Sequence, residues 1–330
     1  MTMTTKRGLM AGAAAAVVLS AGLALPADAQ TRAATGNIEI TVGTSPGGTP
    51  DVIMRQVTRV MAETGIVDLP MVVQNRVGGS WAISANYVIS REGDEQLLYA
   101  IAQPIWTTPI TQGLETFHDR VTPIALFVQG DLIVVTHADA PEQTLSDIVD
   151  RARAEPLSVS VAGAQAGTTA AIATALIEQA AGVEFNYIPY DGGGAATAAF
   201  LGRNSDLVIL APFEAVPLIE SGRVRPLAIL TAERRVEPEL ADIPTAREQG
   251  FDVLWGQIWG ISGPPNTDPE LARWWSERFE ELVNSDAWRH VARESFFRSD
   301  FVGFDGVADE MDALFQRHLD VLRALDLSML

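Results

Sequence analysis

No cysteine occurs in the 330 residues, which removes disulfide frameworks, thiolate nucleophiles and thiolate metal sites together. Lysine occurs once, at Lys6. The rest of the chain therefore has no Schiff-base lysine, no lysine general base and no phosphate-loop lysine. The four histidines, His118, His137, His290 and His318, are scattered, and there is no His-Glu-x-x-His pair to hold zinc. No Gly-x-Ser-x-Gly elbow and no strand-borne Gly-x-Gly-x-x-Gly is present, so neither a hydrolase nucleophile nor a dinucleotide cofactor has support. The acids at Asp305–Asp312 lack the spacing of a calcium loop and read as a solvated helix face. No metal and no cofactor is expected. Basic residues are few, 23 against 42 acids, for a net charge of −19. Such a surface repels nucleic acid and anionic lipid. It leaves open a single buried anion site, where local dipoles outweigh distant screened charge.

Past the first thirty residues no apolar run reaches the roughly 20 residues that a membrane span requires. Within them, Lys6 and Arg7 precede the apolar run Leu9–Leu25 and the small-residue site Ala27-Asp28-Ala29. This is the pattern of a secretory leader, residues 1–29, cleaved after Ala29. The leader carries one net positive charge, so the exported form stands at −20. An exported chain without disulfides has to rest on a large core, which this length allows.

What the chain has in quantity is glycine turns that link a strand to a helix. Asn37–Thr44 alternates as a strand and runs through Ser45-Pro46-Gly47-Gly48 into a helix that Thr49 or Asp51 can cap. Met71–Gln74 leads through Asn75-Arg76-Val77-Gly78-Gly79-Ser80 to a helix over Trp81–Ser90, and Gln96–Ala102 is a further strand. Ile124–Val128 and Leu132–Thr136 are strands, followed by an amphipathic helix at Thr144–Ala154. Ser158–Val161 reads as a buried strand and Ala170–Ala181 as a helix, joined by the small-residue turn Gly163–Thr169. Phe185–Ile188 ends in Pro189-Tyr190-Asp191-Gly192-Gly193-Gly194, opening an Ala-rich helix. Asp206–Leu210, Val224–Leu230 and a Trp-rich Asp252–Ile261 are strands; a helix lies around Phe213–Ser221 and three close the chain at Pro269–Val283, Ala287–Ser295 and Gly306–Leu325. Alternating strands and helices predict an α/β fold with parallel-rich sheets. Glycine turns at strand carboxyl ends are where such sheets bind ligands, and helix N-termini there attract anions. Binding without turnover fits this inventory better than catalysis.

Six segments, in order, resemble one family. They are Thr44–Asp51 (a Pro-Gly-Gly loop ending in Asp), Asn75–Gly79, Pro189–Gly194, Ser221–Ala228, Asp242–Gly250 with its Pro-Thr-x-x-Glu-x-Gly pattern, and Trp259–Pro265. On these the chain resembles the Bug-type periplasmic substrate-binding proteins of tripartite tricarboxylate transporters, over essentially all of its length after the leader. The resemblance implies a two-lobed type II periplasmic-binding fold, each lobe a mostly parallel sheet flanked by helices. One lobe would hold 31–129 plus 251–330 and the other 130–250. It implies a monomeric periplasmic receptor, not an enzyme, that carries a small organic carboxylate to membrane transporter subunits.

The implied ligand contacts are Thr44, Ser45, Gly47 and Gly48 in the first loop, with Ser80 and Gln103 nearby. Gly163, Ala164, Gln165, Ala166, Gly167, Thr168 and Thr169 form the carboxylate cradle, and Tyr190 and Asp191 complete the set. Asp51 reads as a helix cap, since a carboxylate would repel an anion. The family's cradle commonly has Gly-Ser-x-Gly, so here recognition shifts to backbone, Gln165 and the two threonines. Gln103 and Trp106 stand where smaller polar residues are usual and could narrow the pocket, although core packing is the plainer role for Trp106, Trp255 and Trp259. Two other readings remain at this point. A secreted hydrolase would need a base beside Ser45, Thr168 or Thr169. A sensory module would use the same closed surface.

Overall fold

The first sheet is built by the alternating segments β1 (Ile38–Val42), α1 (Thr49–Thr64), β2 (Met71–Asn75), α2 (Ala82–Ile89), β3 (Leu97–Ile101) and α3 (Pro104–Gln112), with β4 (Thr122–Gly130) at its edge. The chain then enters a second sheet made of β5 (Ile133–His137), α4 (Leu145–Ala154), β6 (Ser160–Gly163), α5 (Thr169–Ala181), β7 (Asn186–Pro189), α6 (Gly193–Leu201), β8 (Leu207–Leu210), α7 (Pro212–Glu220) and β9 (Val224–Ile229). It returns to the first sheet as β10 (Gln257–Gly263) and ends in α8 (Pro269–Asn284), α9 (Asp286–Glu294) and α10 (Phe304–Ala324). This computed structural model describes residues 1–3, 33–165 and 167–330. The expected leader, beyond residue 3, and Ala166 lie outside the described residues. Among the described residues no helix is long and apolar enough to cross a membrane.

Strand order is β2-β1-β3-β10-β4 in one sheet and β7-β6-β8-β5-β9 in the other. Each sheet has two parallel pairings, β1 with β2 and β3, and β6 with β7 and β8. The remaining two pairings in each are antiparallel, β10 with β3 and β4, and β5 with β8 and β9. In each sheet four of the five strands therefore run the same way and one is reversed, a mostly parallel sheet with a single antiparallel strand. The reversed strand of each sheet is the one that enters it from the other sheet, β5 after β4 and β10 after β9. A strand that enters a sheet from its neighbour runs against the strands built by right-handed βα units.

Local sequence explains most elements. Ile38, Ile40 and Val42 on one face of β1 and Thr41 on the other are all at most 1 % exposed, as expected of a strand covered on both sides. The α4 helix begins with a reciprocal cap, in which the Thr144 hydroxyl accepts from the Asp147 amide and the Asp147 carboxylate accepts from the Thr144 amide. Two segments depart from the sequence reading. Residues 104–112 form α3, which starts at Pro104 where a proline suits a first turn; Pro109 within it and its run of threonines hide the helical period. The alternating residues from Asp252 form a strand only from Gln257, because Val253, Phe251 and Trp255 anchor into the core of the second sheet without pairing there.

One large core covers both faces of the first sheet, while the second sheet has a separate core on each face. A fourth cluster unites the two halves: Ile110 of α3, Ile172 of α5, and Leu319 and Leu322 of α10. At the crossing, Asp131 sits between β4 and β5 and is 2 % exposed. It pairs with Arg235, from the segment after β9, and with Arg298 at 2.6 Å.

On α10, His318 is 3 % exposed. Its ring stacks on Trp106 with centroids 5.4 Å apart and meets Trp255 edge-on at 5.2 Å. Nδ1 donates to the Leu314 carbonyl at 2.6 Å, which fixes the tautomer, and the buried Nε2 has no partner among the described residues. A second proton would place an unpaired cation among indoles, so burial pushes the His318 pKa down to about 4. Between about 4 and 6.5 the unfolded chain takes up this proton and the folded chain does not. Stability is thus expected to fall by up to about 3 kcal/mol as pH drops through that window. In His318→Phe this part of the loss should disappear. Urea melts at pH 7 and pH 4.5 measure it, and an equal acid loss in both proteins would refute it.

Candidate functional site

Five strand carboxyl ends face one another across the two sheets and enclose a cavity of about 120 Å³. From the first sheet, β1 delivers Gly43 and Thr44, and β3 delivers Ala102 and Gln103. From the second, β6 delivers Gly163, β7 leads to Asp191, and β8 ends at Leu210. This is the position that open α/β sheets reserve for ligands.

Helix N-termini also reach the wall, those of α1, α5 and α6 among them. The N-cap residues of α1, α5 and α6 are Gly48, Thr168 and Gly192, and all three line the cavity. None of them caps its helix with a side chain. First-turn amides have no intrahelical acceptor, so these ends keep N–H groups and positive dipole ends for something else. Among the described residues the wall contains no Arg, Lys or His. Whatever attracts an anion here is backbone dipole or a neutral side-chain donor such as Gln165 or Thr168.

Of the residues expected at the site, Thr44, Ser45, Gly48, Ser80, Gln103, Gly163, Ala164, Gln165, Thr168, Thr169 and Asp191 do line this cavity. Gly47, Gly167 and Tyr190 are not on its wall, and Ala166 lies outside the described residues. Each of the three has a local reason. The Gly47 N–H donates to Asp51 at 2.9 Å. Gly167, at φ +80°, is buried against α3, where its carbonyl accepts from the Thr107 hydroxyl. The Tyr190 ring packs against the core beside α6 and α7.

Asp51 ties the first loop together from inside rather than capping the end of α1. It is 2 % exposed, accepts from Gly47, bonds Arg55 at 3.0 Å and accepts from Asn75 at 2.9 Å. Burial alone would raise its pKa. The hydrogen bonds from Arg55, Gly47 and Asn75, with the Arg55 charge, outweigh that and hold it below the usual carboxylate value.

Gln103 has both ends of its amide engaged. Nε2 donates to the Gly256 carbonyl at 2.5 Å, and Oε1 accepts from the Thr169 hydroxyl at 2.6 Å. One side chain thus links the first sheet, the returning segment and the first residue of α5. On the opposite side of the cavity the Ser45 hydroxyl donates to the Asp191 carbonyl at 3.4 Å. A methyl on Gly192 would lie 2.8 Å from Ser45 Oγ, so the two jaws are in contact at this point.

Three of the wall residues that the sequence reading did not assign to the site stand out. Trp81 follows the glycine pair 78–79 with φ +77°, and Ser80 has φ +49°, consecutive left-handed conformations that only a tightly packed turn sustains. Gly43 makes room for the Trp81 ring, since a methyl there would collide with it. Trp259 is 2 % exposed, packs on Phe297 and also reaches the cavity; Trp106 and Trp255 do not line it. The third is Glu214, in the first turn of α7, with Oε2 accepting from the Ala211 N–H at 3.0 Å. Its chain position resembles an ordinary capping residue, and no local pattern places it on a ligand cavity.

Two mixed sheets joined by two crossings, with a cavity at their strand ends, define a two-lobed periplasmic-binding fold. The chain belongs to the tripartite tricarboxylate transporter receptor family, whose family model matches residues 53–316. It is 27 % identical to BugT of Bordetella pertussis over 282 residues, covering 82 % of this chain and 83 % of that one. Among solved structures it superposes on Rpa4515 of R. palustris with adipate at a TM-score of 0.82 and 22 % identity, covering 89 % of this chain and 98 % of the other. MatC (Rpa3494) of Rhodopseudomonas palustris with bound malate superposes with a TM-score of 0.77 and 21 % identity, covering 87 % and 99 %. The periplasmic binding protein BugD gives 0.80 and 19 %, covering 88 % and 98 %.

Proposed function

We propose that this protein is a periplasmic receptor that closes on a small organic carboxylate and delivers it, as a monomer, to the membrane subunits of a tripartite tricarboxylate transporter. The leader at 1–29 would export it, and the lobes would divide as 31–129 plus 251–330 against 130–250. The observation that carries the reading is the convergence of helix N-termini without side-chain caps, those of α1, α5 and α6 among them, on one cavity that has no basic side chain among the described residues. A carboxylate satisfies those amides and dipoles. The adipate and malate held by the two R. palustris proteins are consistent with this class.

The cradle would be the turn 163–169 with the first residues of α5, and the opposing jaw Thr44–Gly48 with Asp191. Closure would be a population shift, since the ligand bridges both lobes only when they meet. Catalysis has less support. The Ser45 hydroxyl donates to a backbone carbonyl and the Thr169 hydroxyl to an amide oxygen, neither of which is a general base.

A thermal-shift screen over mono-, di- and tricarboxylates, followed by titration calorimetry, tests the reading. At a hundredfold excess over Kd a true ligand adds about 2.7 kcal/mol of stability, a shift of several degrees. No stabilising acid across a broad library would sink it.

A further inference from the structure

The cavity carries a carboxyl group that the carboxylate reading leaves without a task. Glu214 is half-buried on a wall that it shares with the apolar side chains of Leu210, Ala196 and Trp259. Among the described residues it makes no ion pair, and its recorded side-chain bond, to Ala211 N–H, uses Oε2 alone. Oε1 is left to the cavity.

The surroundings supply no counter-charge. On β9, Arg225 is committed to the carbonyls of Ala138, Ala140 and Glu142. On β5, His137 is bonded to the Ser205 carbonyl and stacked on Phe200. Phe213 of α7 meets Phe297, whose neighbour Arg298 is held by Asp131. Asp191, the other ionisable group on the wall, is itself an acid and lies at the exposed rim. The wall thus has two poles. Backbone amides at the α5, α1 and α6 ends suit an anion. Glu214, with the indoles of Trp81 and Trp259 on the same cavity, suits a cation.

Resting on the carboxylate reading of this site, we propose that Glu214 receives an ammonium group of the ligand, so that the receptor selects amino-substituted carboxylates over dicarboxylates. A second carboxylate in this enclosed space would meet like charge wherever Glu214 is ionised, with no base on the described wall to separate the two. A zwitterion meets opposite charge at both poles and brings no net charge into a strongly acidic protein. Within the empty cavity burial pushes the Glu214 pKa up to about 7, against the lowering by the Ala211 N–H. An ammonium partner favours the ionised form, so binding near neutrality releases a proton and affinity rises with pH through about 7.

The test uses the full exported protein and three matched sets of three- to six-carbon acids, carrying a methyl, an ammonium or a second carboxylate, with the α-amino isomers included. The best amino acid should bind at least tenfold more tightly than the dicarboxylate of equal length. Calorimetry at pH 6.5 in buffers of different ionisation enthalpy should show proton release. In Glu214→Gln the amino acid should lose at least tenfold and the dicarboxylate should gain, with the ligand-free melting temperature reporting that the α7 start remains folded. Tighter dicarboxylate binding with proton uptake would overturn the proposal, because Glu214 would then act as a protonated donor. A preference unchanged in Glu214→Gln would also overturn it. If no acid of any set binds, alkylammonium ions separate the two readings. Binding lost in Glu214→Gln would leave Glu214 as the ammonium site while the carboxylate cradle falls, and no binding of either kind overturns both.

Discussion

Replacing Thr169 by proline is expected to weaken carboxylate binding by roughly ten- to a hundredfold, the range of about 1.5–3 kcal/mol that a hydrogen bond to a charged group contributes. Thr169 is the first residue of α5 and lines the cavity. Proline suits that position, because its fixed φ matches the helix and the lost N–H has no intrahelical acceptor. The preceding Thr168 has φ −80° and ψ 162°, the extended conformation that a following proline demands. The helix should therefore persist with one donor removed. The substitution also deletes the hydroxyl that donates to Gln103, so Thr169→Val is the control: it keeps the N–H and loses only that link. Calorimetric titration of both variants separates the two effects. If Thr169→Pro binds as well as Thr169→Val, the start of α5 is not the cradle. Gly167 is a poorer site for this experiment. At φ +80° proline cannot adopt its conformation, so a loss there would report a broken turn.

The largest effect on stability is expected at Asp131. Its carboxylate is 3 % exposed in the connection between the sheets and holds Arg235, itself 13 % exposed, together with Arg298. Asp131→Ala would leave a buried guanidinium with only Glu237 as a partner. Removing one member of such a pair costs about 3–5 kcal/mol, and the surviving Glu237 contact places the expected loss near 3 kcal/mol. Arg298 is 44 % exposed, so Arg298→Ala should cost no more than about 1 kcal/mol. Urea denaturation of the two variants gives the comparison, and equal losses would show that Asp131 is not the keystone of the crossing. Asp131 joins the first crossing to the segment that follows β9. Its loss should also loosen the relation between lobes, visible as a weaker response of melting temperature to ligand.

The glycine turns were legible because their chemistry is local. Gly48, Gly163 and Gly192 stand between an extended run and a helical one, and this is enough to predict a strand end aimed at a helix start. The element order followed from periodicity, except where Pro109 broke the pattern in α3 and where Val253 and Trp255 mimicked a strand. Those exceptions share a cause. Burial on all sides, or anchoring in a core without sheet pairing, produces apolar patterns that carry no period of their own.

What sequence alone determined is the set of pieces: the α/β alternation, the absence of cofactor chemistry, the turns with free amides and the ordered segments of the family. The tertiary structure decided how they meet. Ser45 reaches Asp191 across 146 residues, and Gln103 reaches Gly256 across 153. These contacts turned Gln103 into a latch with both amide ends occupied and moved Gly47, Gly167 and Tyr190 off the wall. They also brought Glu214 onto it. The physical reason is range. Turn and helix signals are written within a few neighbouring residues, whereas the partner of a side chain, and so its charge state and its task, is set by whatever the fold brings beside it.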